Sequence, residues 1–128
     1  EISIAKKTIA SEDKILTLYN ASPDKRVVIM PEELMGWVGV LGETPEVLYA
    51  IYPRPDGKWS LKCMPDLSKS YYGALRKPLP LEWAGKSDEE LQKITGVKDS
   101  LFTHRKRFMA SASTKEGAIA LAEIALNA

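Results

Sequence analysis

Val47–Met64 reads VLYAIYPRPDGKWSLKCM, two segments of alternating character joined by a connection rich in proline and glycine. Residues two apart on a strand share a face, and Pro and Gly supply the backbone angles of a tight reversal, so the stretch predicts a β-hairpin. On its second strand Trp59, Leu61 and Cys63 fall on one side, with Lys58, Ser60 and Lys62 on the other. That division predicts a sheet with one covered face and one wet face.

Upstream, KILTLY (14–19) also alternates, and KRVVIM (25–30) follows the turn-rich NASPD, which predicts a second hairpin. PEELMGWVGVL (31–41) opens with a proline and two acids, favourable in a first helical turn, and puts Leu34, Trp37, Val38 and Leu41 on one face. Gly36 and Gly39 weaken that helix. Downstream, Pro65, Pro78 and Pro80 predict irregular chain from residue 65 to 85. SDEELQKITG (87–96) predicts a short helix with Ser87 and Glu90 as a capping box, Leu91 and Ile94 as the apolar stripe, and Gly96 as a left-handed stop.

SLFTHRKRFM (100–109) alternates as a single strand, with Phe102, His104, Lys106 and Phe108 opposite Leu101, Thr103, Arg105, Arg107 and Met109. STKEGAIALAEIALNA (113–128) predicts a terminal helix capped by Ser113 and Glu116, with Ala118, Leu121, Ala122 and Ala125 inward and Glu116, Glu123 and Asn127 outward. Together these predict one α+β domain over residues 1–128. Its sheet is mixed or antiparallel with hairpins, roughly two to three helices accompany it, and the C-terminal helix packs on the sheet.

The 128 residues are 45% hydrophobic, enough for a core, and 18 basic against 17 acidic residues leave any polyanion site to be local. The single Cys63 excludes an internal disulfide and a cysteine-based zinc cluster, and favours a reducing compartment. Neither a span of about 20 apolar residues nor the apolar core of a signal peptide is present. The expected setting is intracellular and cytoplasmic, without a membrane. A start at Glu1 rather than methionine suggests a processed product or a piece of a longer chain.

Asp56, Asp66, Asp88, Asp99 and the one histidine are scattered, with no spacing that gathers metal ligands on one element. Cys63 has no histidine beside it in the sequence, and no serine sits in a nucleophile elbow. What remains is FTHRKRFMASASTKEGA (102–118). Here His104, Arg105 and Arg107 could meet phosphates, and the turn at Ser111, Ser113 and Thr114 leads to the electropositive start of a helix. The same residues also suit a solvated edge strand leading into an ordinary capped helix. Trp37, Trp59, Trp83, Tyr71 and Tyr72 could stack on bases, but aromatic side chains in a small domain mostly build its core.

Three blocks, VLYAIYPRPDGKWSLKCMP, RKPLPLEWAGKSDEELQKITG and LFTHRKRFMASASTKEGAIALAEIAL, resemble in order and spacing the C-terminal domain of the melanocyte-proliferating-gene exonuclease family. This family is a branch of the DHH phosphoesterase superfamily. The resemblance covers Val47 to Leu126 and is most specific at Leu79, Pro80, Trp83, Gly85, Asp88, Glu89 and Leu91, then at Gly96, Phe102, His104, Phe108, Thr114, Glu116, Gly117 and Ala118. It departs at Ala110 and Ser111, where the family usually has a glycine pair, and in a longer lead-in over residues 1–46, which reads as an added hairpin and short helix.

The resemblance implies a substrate-gripping domain of a metal-dependent 3′-5′ RNA exonuclease, in which His104, Arg105, Arg107, Ser111, Ser113 and Thr114 hold a phosphate backbone or terminal nucleotide. It implies single-stranded RNA or nucleotides as ligand and an N-terminal DHH-type domain, in cis or in trans, as partner. That domain would hold the divalent Mn or Mg ions, so this chain itself would contribute no metal ligand or catalytic residue. The other readings are a free-standing nucleotide-binding module without catalysis, as a monomer or a homo-oligomer, and a structural domain dimerising along Leu101–Met109.

Overall fold

The computed structural model describes residues 2–70 and 73–128, residues 2–11 by their helical backbone alone. The elements run α1 (Ile2–Ala21), β1 (Val27–Ile29), α2 (Trp37–Leu41), β2 (Tyr49–Pro53), β3 (Trp59–Cys63), a 3₁₀ turn (Leu81–Trp83), α3 (Asp88–Thr95), β4 (Ser100–Thr103), β5 (Met109–Ala112) and α4 (Lys115–Leu126). The strands form one mixed five-stranded sheet in the order β1-β2-β3-β5-β4. This is the expected α+β domain.

The β2–β3 hairpin forms as its alternation predicts, Tyr49 opposite Cys63 and Pro53 opposite Trp59. Its turn closes with the Arg54 N–H donating to the Lys58 carbonyl at 2.7 Å, and Gly57 takes the left-handed φ of 85° that the reversal requires. α4 lies on the face carrying Tyr49, Ile51, Leu61 and Cys63, and buries Ala118, Leu121, Ala122 and Ala125 against them and against Ala110 and Ala112 of β5. The expected stripe is the buried one. Its alanines, facing alanines, let the helix approach the sheet closely, while a buried leucine such as Leu121 contributes about 1.5–3 kcal/mol.

Three expectations upstream change. Lys14–Tyr19 is the last part of helix α1 rather than a hairpin strand, and β1 pairs with β2 in parallel. The alternation misled because Ile15, Leu18 and Tyr19 are also spaced i, i+3, i+4; Ile15 is buried while Leu16 and Thr17 are exposed. The helix expected from Pro31 shrinks to Trp37–Leu41, because Gly36 adopts a left-handed φ of 77° immediately before it. Finally, the sheet's second face is not wet throughout. Ala50 and Tyr52 of β2, with Val28, Met30 and Met64, pack against Ile15, Leu34, Trp37 and Leu41 in a second core cluster. A run as apolar as Val47–Tyr52 reads as a strand buried on both sides.

α3 ends as expected at Gly96, whose left-handed N–H donates to the Gln92 carbonyl at 2.8 Å. Ser87 is its N-cap residue but makes no side-chain capping bond, so the predicted capping box is not closed, and of the stripe Leu91 is buried while Ile94 is exposed. Beyond β4, Gly85 donates to the Thr103 carbonyl at 3.1 Å and Thr103 donates to the Lys86 carbonyl at 3.0 Å. The outer edge of β4 is thus already partnered by this segment, through to a bridge between Ser87 and Phe102.

The irregular stretch after β3 is anchored by Arg76. Its guanidinium donates to the carbonyls of Thr44 (2.7 Å), Val47 (2.8 Å) and Gly42 (3.0 Å), tying the chain after α2 to the start of β2. A charged donor that serves three carbonyls, of which Thr44's also accepts the Val47 N–H, is worth more than a neutral bond. Arg76→Ala should lower unfolding stability by about 3 kcal/mol, measured by urea denaturation. A loss under about 0.5 kcal/mol would show that the anchor is dispensable.

Candidate functional site

The expected strand Ser100–Met109 is broken in the middle. β4 ends at Thr103, residues 104–108 turn, and β5 returns antiparallel with Thr103 opposite Ala110. The turn is closed by His104 N–H donating to the Met109 carbonyl (2.9 Å) and Arg107 N–H donating to the His104 carbonyl (2.8 Å). Arg107 takes a left-handed φ of 66°, a conformation that sequence patterns assign to Gly or Asn. The assignment of Arg105 and Arg107 to one strand face falls with the strand.

Arg107 is held by its neighbours. Its Nε donates to the Leu79 carbonyl at 2.6 Å, and its own carbonyl accepts from the Leu79 N–H at 3.0 Å. The Cys63 thiol also reaches that carbonyl, at 3.4 Å. Burial pushes the Cys63 thiol up to about 12, so the side chain is a proton donor inside the core and not a nucleophile. Arg105 is exposed on another side of the turn, and a Cβ added at Gly85 would lie 3.6 Å from its own Cβ.

His104 and Lys106 line a cleft of about 820 Å³ together with Lys62 of β3, Lys69 of the following loop, Phe108, and Trp37 and Val38 of α2. Asp66 is the one acid on its wall among the described residues, and hydrogen bonds from the Ser68 hydroxyl and backbone N–H hold its carboxyl below the usual range. Three lysines therefore face one carboxylate that already has donors of its own. The His104 ring packs on Phe108 with centroids 4.5 Å apart, and its Nδ1 accepts the Lys106 N–H at 3.0 Å.

The remaining expected site residues lie further along the chain, Ser111 inside β5 about 7 Å beyond Met109 and Thr114 past its far end about 16 Å beyond Met109, at about 3.3 Å per residue. Ser111 is in β5 opposite Ser60, both nearly fully buried, and Ser113 is exposed with its N–H donating to the Asp99 carbonyl. The helix cap is Thr114 rather than Ser113. The Thr114 hydroxyl accepts from Gly117 N–H (3.0 Å) and donates to the Asp99 carboxylate (2.8 Å). The electropositive end of α4 thus has a carboxylate of the chain's own beside it. The structure gathers His104, Arg105 and Arg107 in one turn and separates them from Ser111, Ser113 and Thr114.

Of the aromatics, Trp83 and Trp37 are core residues and Trp59 is half-buried; Tyr71 and Tyr72 lie outside the described residues. Lys62, Lys69 and Phe108 were missed as site residues. Lys62 stood out only as a polar position of the hairpin, and nothing in the sequence near Lys69 marks it. Among the described residues no three His, Cys, Asp or Glu side chains converge as metal ligands, and no helix is long and apolar enough to cross a membrane. Gly117 shows how tightly the α4 end is closed, since a Cβ there would lie 2.7 Å from the Asp99 Cβ and 3.1 Å from the Ala112 Cβ.

A family model for the MYG1 exonucleases, described as an uncharacterised protein family (UPF0160), matches residues 2–126. That match begins well upstream of Val47. Human MYG1 exonuclease is 28% identical over 122 residues, which cover 90% of this chain and 32% of the human protein. Rat MYG1 exonuclease is 33% identical over 86 residues, 67% of this chain and 22% of its own length. The MYG1 protein of Dictyostelium discoideum is 35% identical over 85 residues, 66% of this chain and 25% of its own length. The chain spans about a third or less of the length of these relatives.

The close packing at Gly117 has a direct consequence. Gly117→Ala should destabilise the fold by about 1–3 kcal/mol in urea denaturation, as overpacking does where neighbours cannot retreat. Unchanged stability would mean that Asp99 moves aside without loss.

Proposed function

Because this chain belongs to the MYG1 exonuclease family, whose model matches residues 2–126, we propose that it is the substrate-gripping part of a phosphodiesterase that degrades single-stranded RNA from the 3′ end. In this reading it is the C-terminal domain of a DHH-type enzyme and works in a reducing, cytoplasmic setting. Hydrolysis belongs to an N-terminal domain, in cis or in trans, whose divalent Mn or Mg polarises the phosphoryl oxygen and activates water.

The observation that carries the reading is the gathering of Lys62, Lys69, Lys106 and His104 around one cleft in a chain of net charge +1. Charge this local in a chain this neutral suits a phosphate-bearing ligand, and Phe108 and Trp37 on the same wall suit the apolar parts of a nucleotide. Lysines act there as point charges on phosphate oxygens. Arg105, exposed on the turn, meets the strand where it leaves the cleft, and Arg107 holds the turn in place through Leu79.

The described residues do not gather as metal ligands. Asp66 is bonded to Ser68, Asp99 to Thr114, and His104 uses Nδ1 on its own turn. In this reading the part of the chain is to bind, orient and neutralise the substrate. Ser113 is left as an exposed hydroxyl near the α4 end, where a longer strand would pass.

Binding of a short single-stranded RNA, followed by fluorescence anisotropy, should weaken with salt at a slope near −0.7 per neutralised phosphate, about −2 for the three lysines. Each of Lys62→Ala, Lys69→Ala and Lys106→Ala should make the slope shallower by about 0.7. EDTA should leave binding unchanged. Salt-independent binding, or slopes unaffected by all three substitutions, would rule the cleft out as the phosphate site.

A further inference from the structure

The chain has a single histidine, and its own turn dictates the state of the ring. The Lys106 backbone N–H donates to His104 Nδ1 at 3.0 Å, and a nitrogen that accepts a hydrogen bond carries no proton. In the neutral ring the proton is therefore on Nε2. The ring is also fixed in orientation. Phe108 packs on it with centroids 4.5 Å apart and planes inclined at 52°, and Phe102 meets it edge-on at 6.3 Å and 84°. Among the described residues no hydrogen-bond partner faces Nε2, while the ring itself forms part of the cleft wall.

An N–H donor on the wall of a cleft that Lys62, Lys69 and Lys106 also line suits an anionic acceptor, which the lysines would neutralise. The cleft, at about 820 Å³, is within the range of roughly 300–1,000 Å³ typical of sites for whole organic ligands, and far exceeds what a bare phosphate would fill. Trp37, Leu75 and Phe108 make its wall apolar, while the Asp66 carboxylate offers an acceptor to hydroxyl or amino groups and repels a second phosphate.

Resting on the nucleic-acid reading above, we propose that His104 is the neutral donor of a nucleotide subsite. Its Nε2–H donates to one phosphate oxygen of a nucleoside monophosphate unit, the lysines neutralise that phosphate, and the nucleoside lies along the apolar wall. The rigidity of the ring matters here, because a donor held in position loses little freedom on binding. Lys106 has two parts, since its backbone sets the tautomer and its ammonium group shares the ligand.

Because no other histidine competes, long-range proton–nitrogen NMR reads the ring without ambiguity. At mildly alkaline pH the chain should show an Nε2-protonated tautomer. Adenosine 5′-monophosphate should shift Nε2 and the Phe108 ring signals, with inorganic phosphate and adenosine each binding more weakly. His104→Phe keeps an aromatic ring and removes the donor, and should weaken binding of this nucleotide about tenfold by calorimetry. His104→Gln, whose amide supplies a donor, should recover part of that loss.

An Nδ1-protonated ring, or equal affinity in His104→Phe, would overturn the subsite. If short single-stranded RNA binds with the expected salt dependence while the ring signals stay unmoved at saturation, the subsite is wrong and the broader reading survives. If neither RNA nor the nucleotide binds at millimolar concentration, both are overturned.

Discussion

The reciprocal pair of bonds between Arg107 and Leu79 holds the β4–β5 turn against the chain that precedes the 3₁₀ turn. The Leu79 N–H donates to the Arg107 carbonyl and the Arg107 Nε donates to the Leu79 carbonyl, so two segments 28 residues apart are fastened in both directions. A left-handed backbone at a non-glycine residue costs about 1–2 kcal/mol, and these bonds offset it. The same carbonyl takes the Cys63 thiol, which adds β3 to the junction. With the turn pinned, β5 returns between β4 and β3, and His104, Lys106 and Phe108 are delivered to the cleft wall.

The two ends of β5 treat anions differently. At the α4 end the chain supplies its own carboxylate, Asp99, bonded to the capping Thr114 and packed so closely that only glycine fits at position 117. At the turn end Lys62, Lys69 and Lys106 outnumber Asp66, the one carboxylate among the described residues of the cleft wall, whose Oδ1 accepts from Ser68. A helix N-terminus is often the first place to look for phosphate, but here a resident acid stands beside it and the unanswered positive charge lies at the other end of the strand. Ala110 and Ser111, where the resemblance leads one to expect a glycine pair, lie inside β5 between these two ends. Ala110 packs under α4, and Ser111 is buried opposite Ser60.

Elements whose periodicity admitted one answer were legible in the sequence. The β2–β3 hairpin, the buried stripe of α4 and the Gly96 stop of α3 each follow from side-chain spacing plus a residue with a distinctive backbone preference. α1 was missed because Ile15 to Tyr19 satisfies both a strand and a helix pattern over so short a window. The β4–β5 reversal was missed for a different reason. Its HRKRF turn has no glycine, proline or asparagine, and its left-handed residue is an arginine stabilised by Leu79, a partner that local sequence does not reveal. The cleft suffered most from this, since reading one strand put His104 and Lys106 on a flat face and gave no reason to join them to Lys62 and Lys69. His104 and the basic cluster were visible as residues, whereas their grouping depends on tertiary contacts.

Where the chain meets phosphate is tested most directly by backbone amide chemical-shift mapping during titration with a short single-stranded RNA. Shifts should concentrate at Lys62, Lys69 and residues 104–108, with the amides of Lys115, Glu116 and Gly117 unmoved. Shifts centred on the start of α4, with the turn silent, would contradict the account and return the anion site to the helix end that Asp99 occupies.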